Sequence, residues 1–402
     1  MPIAFSKPPH IAIVEYMLKI VLVFAMTLPM LILYATSTLG PLLSLDLHFD
    51  PILQGYLITS SFGLAAVLSL CAGAIVDYIG SRCALLMLFY TIAVAFALIA
   101  TAETFYGLIM AAGICGIAQA LANPVTNLLI AQQIQPEKKA RVVGLKQSGV
   151  QFAALLAGFV LPAITFQYGW RIAFSSVVPV AVLFGVVTLF IIPKQHVRTS
   201  NRLAFSYPNS LLRWLMGIQF CVGISLSAFV TFLPTFATQQ GMSLFWAGIL
   251  IVVFGIMGML SRIMLTPMGA KLKDESLLLF VLIAIAACAM AITMQTDLES
   301  HWRLWVGAVG MGLTAVGTNA IAMSMLIRDP IFGSVATASS FVSFAFFAGF
   351  ALGPPLYAVL SSYSGSLLLG WGTLISVLCV ACVMTVTLAS ARRHKAQALL
   401  SG

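Results

Sequence analysis

The chain has 402 residues, of which 61% are hydrophobic and 8% charged, with a formal net charge of +9. Soluble domains carry roughly 25% charged residues, so a water-soluble globule is excluded and the bilayer is the expected solvent. Only short polar breaks interrupt the apolar sequence, which leaves no separate domain to house catalytic chemistry.

A membrane-crossing helix needs about 20 mainly apolar residues. The opening "MPIAFSKPPHIAIVEY" has no cleavable signal pattern, so the first span is expected to stay in the mature chain. Between polar breaks, spans are expected at 16–42, 52–76, 83–101, 105–132, 140–166 and 170–193. The longest polar connection follows, "KQHVRTSNRLAFSYP" at 194–208. Six more spans lie beyond it, at 209–238, 244–268, 277–296, 303–326, 333–360 and 366–390. The expected architecture is an all-α polytopic membrane protein of twelve transmembrane helices in two six-helix halves. The N-terminal half covers 1–193, a cytoplasmic linker 194–208, and the C-terminal half 209–402.

Charge sets the topology. With the N-terminus cytoplasmic, that side receives Lys7, Lys19, Arg82, Lys138, Lys139, Arg141, Lys194, Arg198, Arg202, Arg213, Lys271, Lys273, Arg328, Arg392, Arg393 and Lys395. The other side receives Arg171 and Arg303. The positive-inside rule therefore puts both termini in the cytoplasm. The net positive charge reflects this asymmetry, so a nucleic-acid partner is not needed to explain it. The seven cysteines lie in or beside spans and read as small packing residues, the formal C-x-x-C of Cys379 and Cys382 included.

Two cations fall inside spans. Lys146 is in the fifth and Arg262 in the eighth, each about 9 Å from the cytoplasmic end at helical rise. Lys146 shares a helical face with Gly149, Ala153 and Ala157, and Arg262 shares one with Gly258, Gly255 and Gly248. Small-residue stripes mark contact between helices rather than with lipid, so both cations are expected to face protein or a cavity. No carboxylate lies deep in any span, which counts against a built-in Asp/Glu proton relay. Bland alternatives stay open: Lys146 snorkels to the cytoplasm or pairs with a loop carboxylate, and Arg262 caps carbonyls at the end of its own helix. Against them stands the cost of desolvating each charge without a permanent partner, at least ~2.5 kcal/mol.

The loop after the second span reads "GAIVDYIGSR", 73–82. It resembles the G-x-x-x-D-x-x-G-x-R motif of the major facilitator superfamily, with Gly73, Asp77, Gly80 and Arg82 in place. Gly73 would allow close helix approach, Gly80 a tight turn, and Asp77 with Arg82 a conformational latch between the halves. The echo of "AGFVLP" (157–162) in "AGFALGP" (348–354), half a chain later, fits parallel six-helix repeats. "YGWRIAF" at 168–174 and "GFALGPP" at 349–355 also look like recurring elements of that family. The second-half copy of the loop, "TPMGAKLKDE" at 266–275, is eroded.

The resemblance implies an alternating-access carrier in which the fifth and eighth helices meet beside the central path. It also implies that the first, fourth, seventh and tenth helices line the cavity. Lys146, Arg262, Gln119, Asn123, Tyr34 and Asn319 are then the candidate substrate contacts. Arg262 falls where monocarboxylate and oxalate carriers of the superfamily keep an arginine. Gly258 stands where the monocarboxylate type has an aspartate, so that mode of proton coupling is not carried over. The expected function is transport of a small organic anion, a carboxylate, across an inner membrane, by exchange or proton-linked symport. A monomer without cofactor or metal is expected. The alternatives are multidrug efflux and a transporter-like sensor. Efflux is disfavoured because Ala157 and Leu161 occupy the glycine places before Pro162. The scattered histidines give no constellation for an enzyme.

Overall fold

A computed structural model describes residues 9–193, 207–269, 272, 274–298, 300–333, 335–364 and 367–401. Residues 194–206 of the expected linker lie outside the described residues, as do Lys7, Lys271 and Lys273. The side chains of Lys139, Arg141, Arg328 and Lys395 are likewise not described.

Helices carry the architecture. In chain order they are α1 (Pro9–Asp46), α2 (Gly55–Ala100), α3 (Phe105–Gln133), α4 (Pro136–Leu155), α5 (Leu161–Tyr168), α6 (Trp170–Ser175) and α7 (Val177–Ile191). After the linker come α8 (Ser210–Gln239), α9 (Leu244–Gly269), α10 (Glu275–Met294), α11 (Trp302–Leu313), α12 (Ala315–Arg328), α13 (Val335–Ser364) and α14 (Leu367–Ser401). Among the described residues, 11 helical stretches are long and apolar enough to cross a membrane. The protein is therefore a multi-pass membrane protein.

The expected second and third spans fall in one stretch of 50 residues, Pro51–Ala100. Drawn straight it would run about 75 Å, more than twice a bilayer's hydrocarbon thickness of ~30 Å. It is not straight. Gly80 breaks it with φ 81° and ψ 156°, a backbone region open almost only to glycine.

The fifth expected span is also interrupted. Between α4 and α5, Leu156–Val160 forms a π turn in which the Leu161 N–H reaches back to the Leu156 carbonyl. Pro162 explains it: a proline ring clashes with the carbonyl four residues earlier and lacks its own N–H. Widening the preceding turn relieves the clash.

Packing joins the chain before 193 to the chain after 207 along α1·α8, α2·α13 and α4·α9. Gln54 Nε2 donates to the Thr231 carbonyl and to Thr235 Oγ1, each at 2.9 Å. Ser37 Oγ donates to the Val230 carbonyl. Thr59 Oγ1 donates to the Ala351 carbonyl at 2.6 Å. Phe62 packs on Phe350 with ring centroids 4.9 Å apart. These links sit toward the ends of the helices that lead into the 47–54 and 240–243 connections. At the other ends, Arg392 of α14 gathers Asp274 at 3.1 Å and Asp329 at 3.0 Å, with Glu275 at 3.6 Å. That cluster fastens α10, α12 and α14 to one another.

Candidate functional site

The seam that α4 and the π turn after it make with α9 positions everything that follows. A Cβ added to Gly158 would lie 2.5 Å from the Gly248 carbonyl oxygen, and one added to Gly248 would lie 2.8 Å from that of Gly158. Further along, a Cβ on Gly255 would stand 2.8 Å from Ala154 Cβ, and one on Gly258 would be 3.0 Å from Gln151 Cδ. The glycine stripe that Arg262 shares is thus a helix–helix contact. Gly149, on the other stripe, packs on α1: its carbonyl accepts from Thr27 Oγ1 at 2.9 Å.

Arg262 stands at the end of this stripe. Its Nη1 donates across the seam to the Gln147 carbonyl at 2.7 Å and to Gln147 Oε1 at 3.2 Å. Its Nε is buried with no hydrogen-bond partner. Capping of its own helix end is not what Arg262 does; its partners are on α4.

Lys146 does not snorkel. Its side chain is among the largest fully buried ones, at 1% exposure. Nζ donates to Asn127 Oδ1 at 2.6 Å, to Thr126 Oγ1 at 2.8 Å and to Asn123 Oδ1 at 3.5 Å. All three acceptors come from one face of α3, because positions 123, 126 and 127 differ by three and four residues. An ammonium has three donors, so Lys146 is satisfied, yet every acceptor is neutral. No carboxylate pairs with it among the described residues. Asn127 is exposed, which opens this group to the surroundings on one side.

Two glutamines connect the parts. Gln147 Nε2 lies 3.4 Å from Asn123 Oδ1, so its carboxamide bridges the Lys146 group and Arg262. One turn on, Gln151 Oε1 accepts from the Tyr34 hydroxyl at 3.1 Å. Neither glutamine is among the expected contacts. Their spacing of four along one face of the fifth span is the signal that identifies them.

Of the expected contacts, Lys146, Asn123 and Arg262 come together through Gln147, with Tyr34 a turn away on Gln151. Gln119 lies against the Met30 sulfur at 2.9 Å. Asn319 belongs to a separate group, donating to Gln219 Oε1 at 3.3 Å. Thr231 and Thr235 of the seventh span join the parts of the chain through Gln54.

The 73–82 loop is correct in its turn and different in its packing. Gly80 makes the tight turn. Gly73 is exposed, and a Cβ there would meet nothing within 4 Å, so the close helix approach expected at Gly73 does not occur in this conformation. Asp77 is exposed and Arg82 half-exposed. No ion pair joins either of them to another described residue.

A bundle of apolar helices closed by glycine contacts, with Lys146 buried, Arg262 half-buried and no carboxylate paired with either among the described residues, defines a polytopic membrane protein of the carrier type. The Major Facilitator Superfamily model matches residues 22–354, and the chain belongs to that family, whose members are transporters. Among solved structures, the chain is similar to the human organic anion transporter MFSD10 (TETRAN), with a TM-score of 0.68 and 15% identity. The match covers 94% of this chain and 100% of that one, and at this identity it establishes the shared fold. No curated protein sequence matches the chain significantly.

Proposed function

We propose that this protein carries a small organic anion, of the carboxylate class, by alternating access. The observation that carries the reading is the Arg262 guanidinium. Among the described residues only its Nη1 is engaged, by neutral oxygens of Gln147, and its buried Nε has no partner. Its Nη1–Nη2 end can give a carboxylate two parallel bonds once the longer Gln147 side-chain contact is given up. Lys146 adds a second uncompensated charge to the same polar network. An anion offsets the cost of holding both away from water, and a cation would increase it. The similar human protein is an organic anion transporter, which agrees with this class of cargo.

The chain crosses the membrane twelve times in this reading, because Gly80 acts as a turn between two spans. Gly169, with φ 85° and ψ 160°, has nearly the same backbone conformation and separates the Val142–Tyr168 and Trp170–Ile191 spans. Residues 1–193 and 209–402 form the two moving units, joined by 194–208. Both termini face the cytoplasm of an inner (plasma) membrane, and the carrier acts as a monomer. The units are closed toward the Gln54 and Ser37 contacts, the non-cytoplasmic side, and the site is reached past Asn127. Without an internal acid, energy comes from exchange or from a proton that travels with the substrate. The 73–82 motif controls closure through Asp77 and Arg82.

The test is flux in liposomes with a panel of acetate, oxalate, malonate, succinate and benzoate, competed against tetraphenylphosphonium. Acids are expected to compete and the lipophilic cation not to; the reverse result points to drug efflux. Arg262→Gln and Lys146→Gln are each expected to weaken acid binding about ten- to a hundredfold, the loss of one charge-assisted bond. Normal affinity in both variants overturns the anion reading.

A further inference from the structure

Gln147 touches Arg262 and, on its other side, Asn123 of the Lys146 group, and its contacts with Arg262 are unequal. The bond from Arg262 Nη1 to its backbone oxygen is 2.7 Å, whereas that to its side-chain oxygen is 3.2 Å. The first fastens α4 to α9. The second is the longer and the more easily exchanged, since only a side chain must turn. We propose that the Gln147 carboxamide is a built-in stand-in for the substrate carboxylate: it holds Arg262 while the site is empty and is displaced when substrate binds. This rests on the reading of Arg262 as the anion ligand.

Three observations support displacement. A carboxylate oxygen forms a charge-assisted bond to a guanidinium, roughly twice as strong as the neutral one it replaces. The displaced carboxamide has a destination, because its Nε2 already lies 3.4 Å from Asn123 Oδ1. That oxygen is only loosely held by Lys146, at 3.5 Å, so it can take a shorter bond from Gln147 as the carboxamide turns. The polar chain from Arg262 to Lys146 therefore rearranges without breaking open.

Two consequences follow from shape and position. A carboxamide and a carboxylate are both planar three-atom groups on one carbon, so the position that Gln147 fills suits a planar anion. Tetrahedral phosphonates and sulfonates of equal charge fit it less well. Gln147 and Arg262 also lie on opposite sides of the seam, so substrate capture exchanges a bond between the two moving units. Binding and loosening of the seam are one event.

The experiment measures binding of benzoate, phenylphosphonate and benzenesulfonate to the full-length protein in lipid nanodiscs. Wild type, Gln147→Ala, Gln147→Asn, Gln147→Glu and Arg262→Gln are compared. With the competitor removed, Gln147→Ala is expected to bind benzoate about two- to tenfold more tightly, the worth of one net hydrogen bond. Gln147→Asn, too short to reach Arg262, moves the same way and carries the test if the alanine variant does not fold. Gln147→Glu supplies a permanent internal carboxylate and is expected to lose benzoate binding at least about tenfold. Wild type is expected to prefer benzoate to both tetrahedral anions. Unchanged or weaker benzoate binding in Gln147→Ala and Gln147→Asn overturns the stand-in role while leaving Arg262 as a ligand. Undiminished binding in Arg262→Gln overturns the anion site itself, and the stand-in with it.

Discussion

The seam between α4 and α9 has two unlike ends. At one, Gly158 and Gly248 bring backbone against backbone, and a single added carbon would stand 2.5 Å from a carbonyl oxygen. At the other, Arg262 reaches across to Gln147 with hydrogen bonds. The first contact is steric and dispersive, and it rewards nothing but fit. The second is polar, and a ligand with a stronger acceptor can replace part of it. A pair of helices built this way stays in register at its glycine end while its polar end responds to what is bound. Lys146 marks a further difference: three neutral acceptors from α3 saturate it, whereas Arg262 keeps a buried, unpartnered Nε.

The largest expected effect comes from breaking the glycine end. Gly158→Leu should abolish transport, because the helices cannot separate without losing the seam and overpacking costs about 1–3 kcal/mol. Gly372→Leu is the matched control, since a Cβ at Gly372 meets nothing within 4 Å and uptake should stay normal. Equal uptake by the two variants would mean that the glycine contact plays no part in the cycle.

At the polar end, Arg262→Lys keeps the charge but removes the fork. Acid affinity is expected to fall roughly tenfold or more, measured by binding in nanodiscs, with protein stability near wild type. Full affinity in Arg262→Lys would show that only charge is read, and would argue against bidentate recognition.

Much of this comparison was legible in the sequence. Periodicity along single helices is a local property, so the spans, the glycine stripes and the two inward-facing cations could be read directly. Pairings between helices far apart in the chain left no such mark. Nothing in the order of residues says that Arg262 meets Gln147 rather than its own carbonyls, or that Asn319 turns to Gln219. The clustering of Asp274, Glu275 and Asp329 on Arg392 is equally silent, because each residue alone reads as a loop or helix-end charge. Gly73 makes a related point. A glycine permits close approach, but whether a neighbour arrives depends on the conformation adopted.

Two glycines of the same loop sharpen that point with a smaller effect. Gly80 holds φ 81° and ψ 156°, where a side chain costs about 1–3 kcal/mol. Gly80→Ala should therefore lower the unfolding midpoint. Gly73→Ala, on an open face, should leave it unchanged. Similar midpoints for the two variants would contradict the strained turn and, with it, the argument for a chain reversal at Gly80.

The smallest effect is expected at Asp77, and the contrast with Arg392 explains why. Arg392 is mostly buried and fastened by carboxylates at 3.0 and 3.1 Å, so its charges hold helix ends together in the conformation described here. Asp77 is exposed and pairs with no described residue. Removing its charge takes nothing from this conformation, and can act only through contacts made in another. Exposed ion pairs are worth about 0–1 kcal/mol, which corresponds to a change in rate of up to about fivefold. Asp77→Asn should thus slow exchange by a few-fold while leaving acid affinity and the unfolding midpoint unchanged. Rates and affinities measured on the same liposome and nanodisc preparations separate the two quantities. A wild-type rate in Asp77→Asn would remove Asp77 from the latch, and a change in affinity without one in rate would place it at the substrate instead.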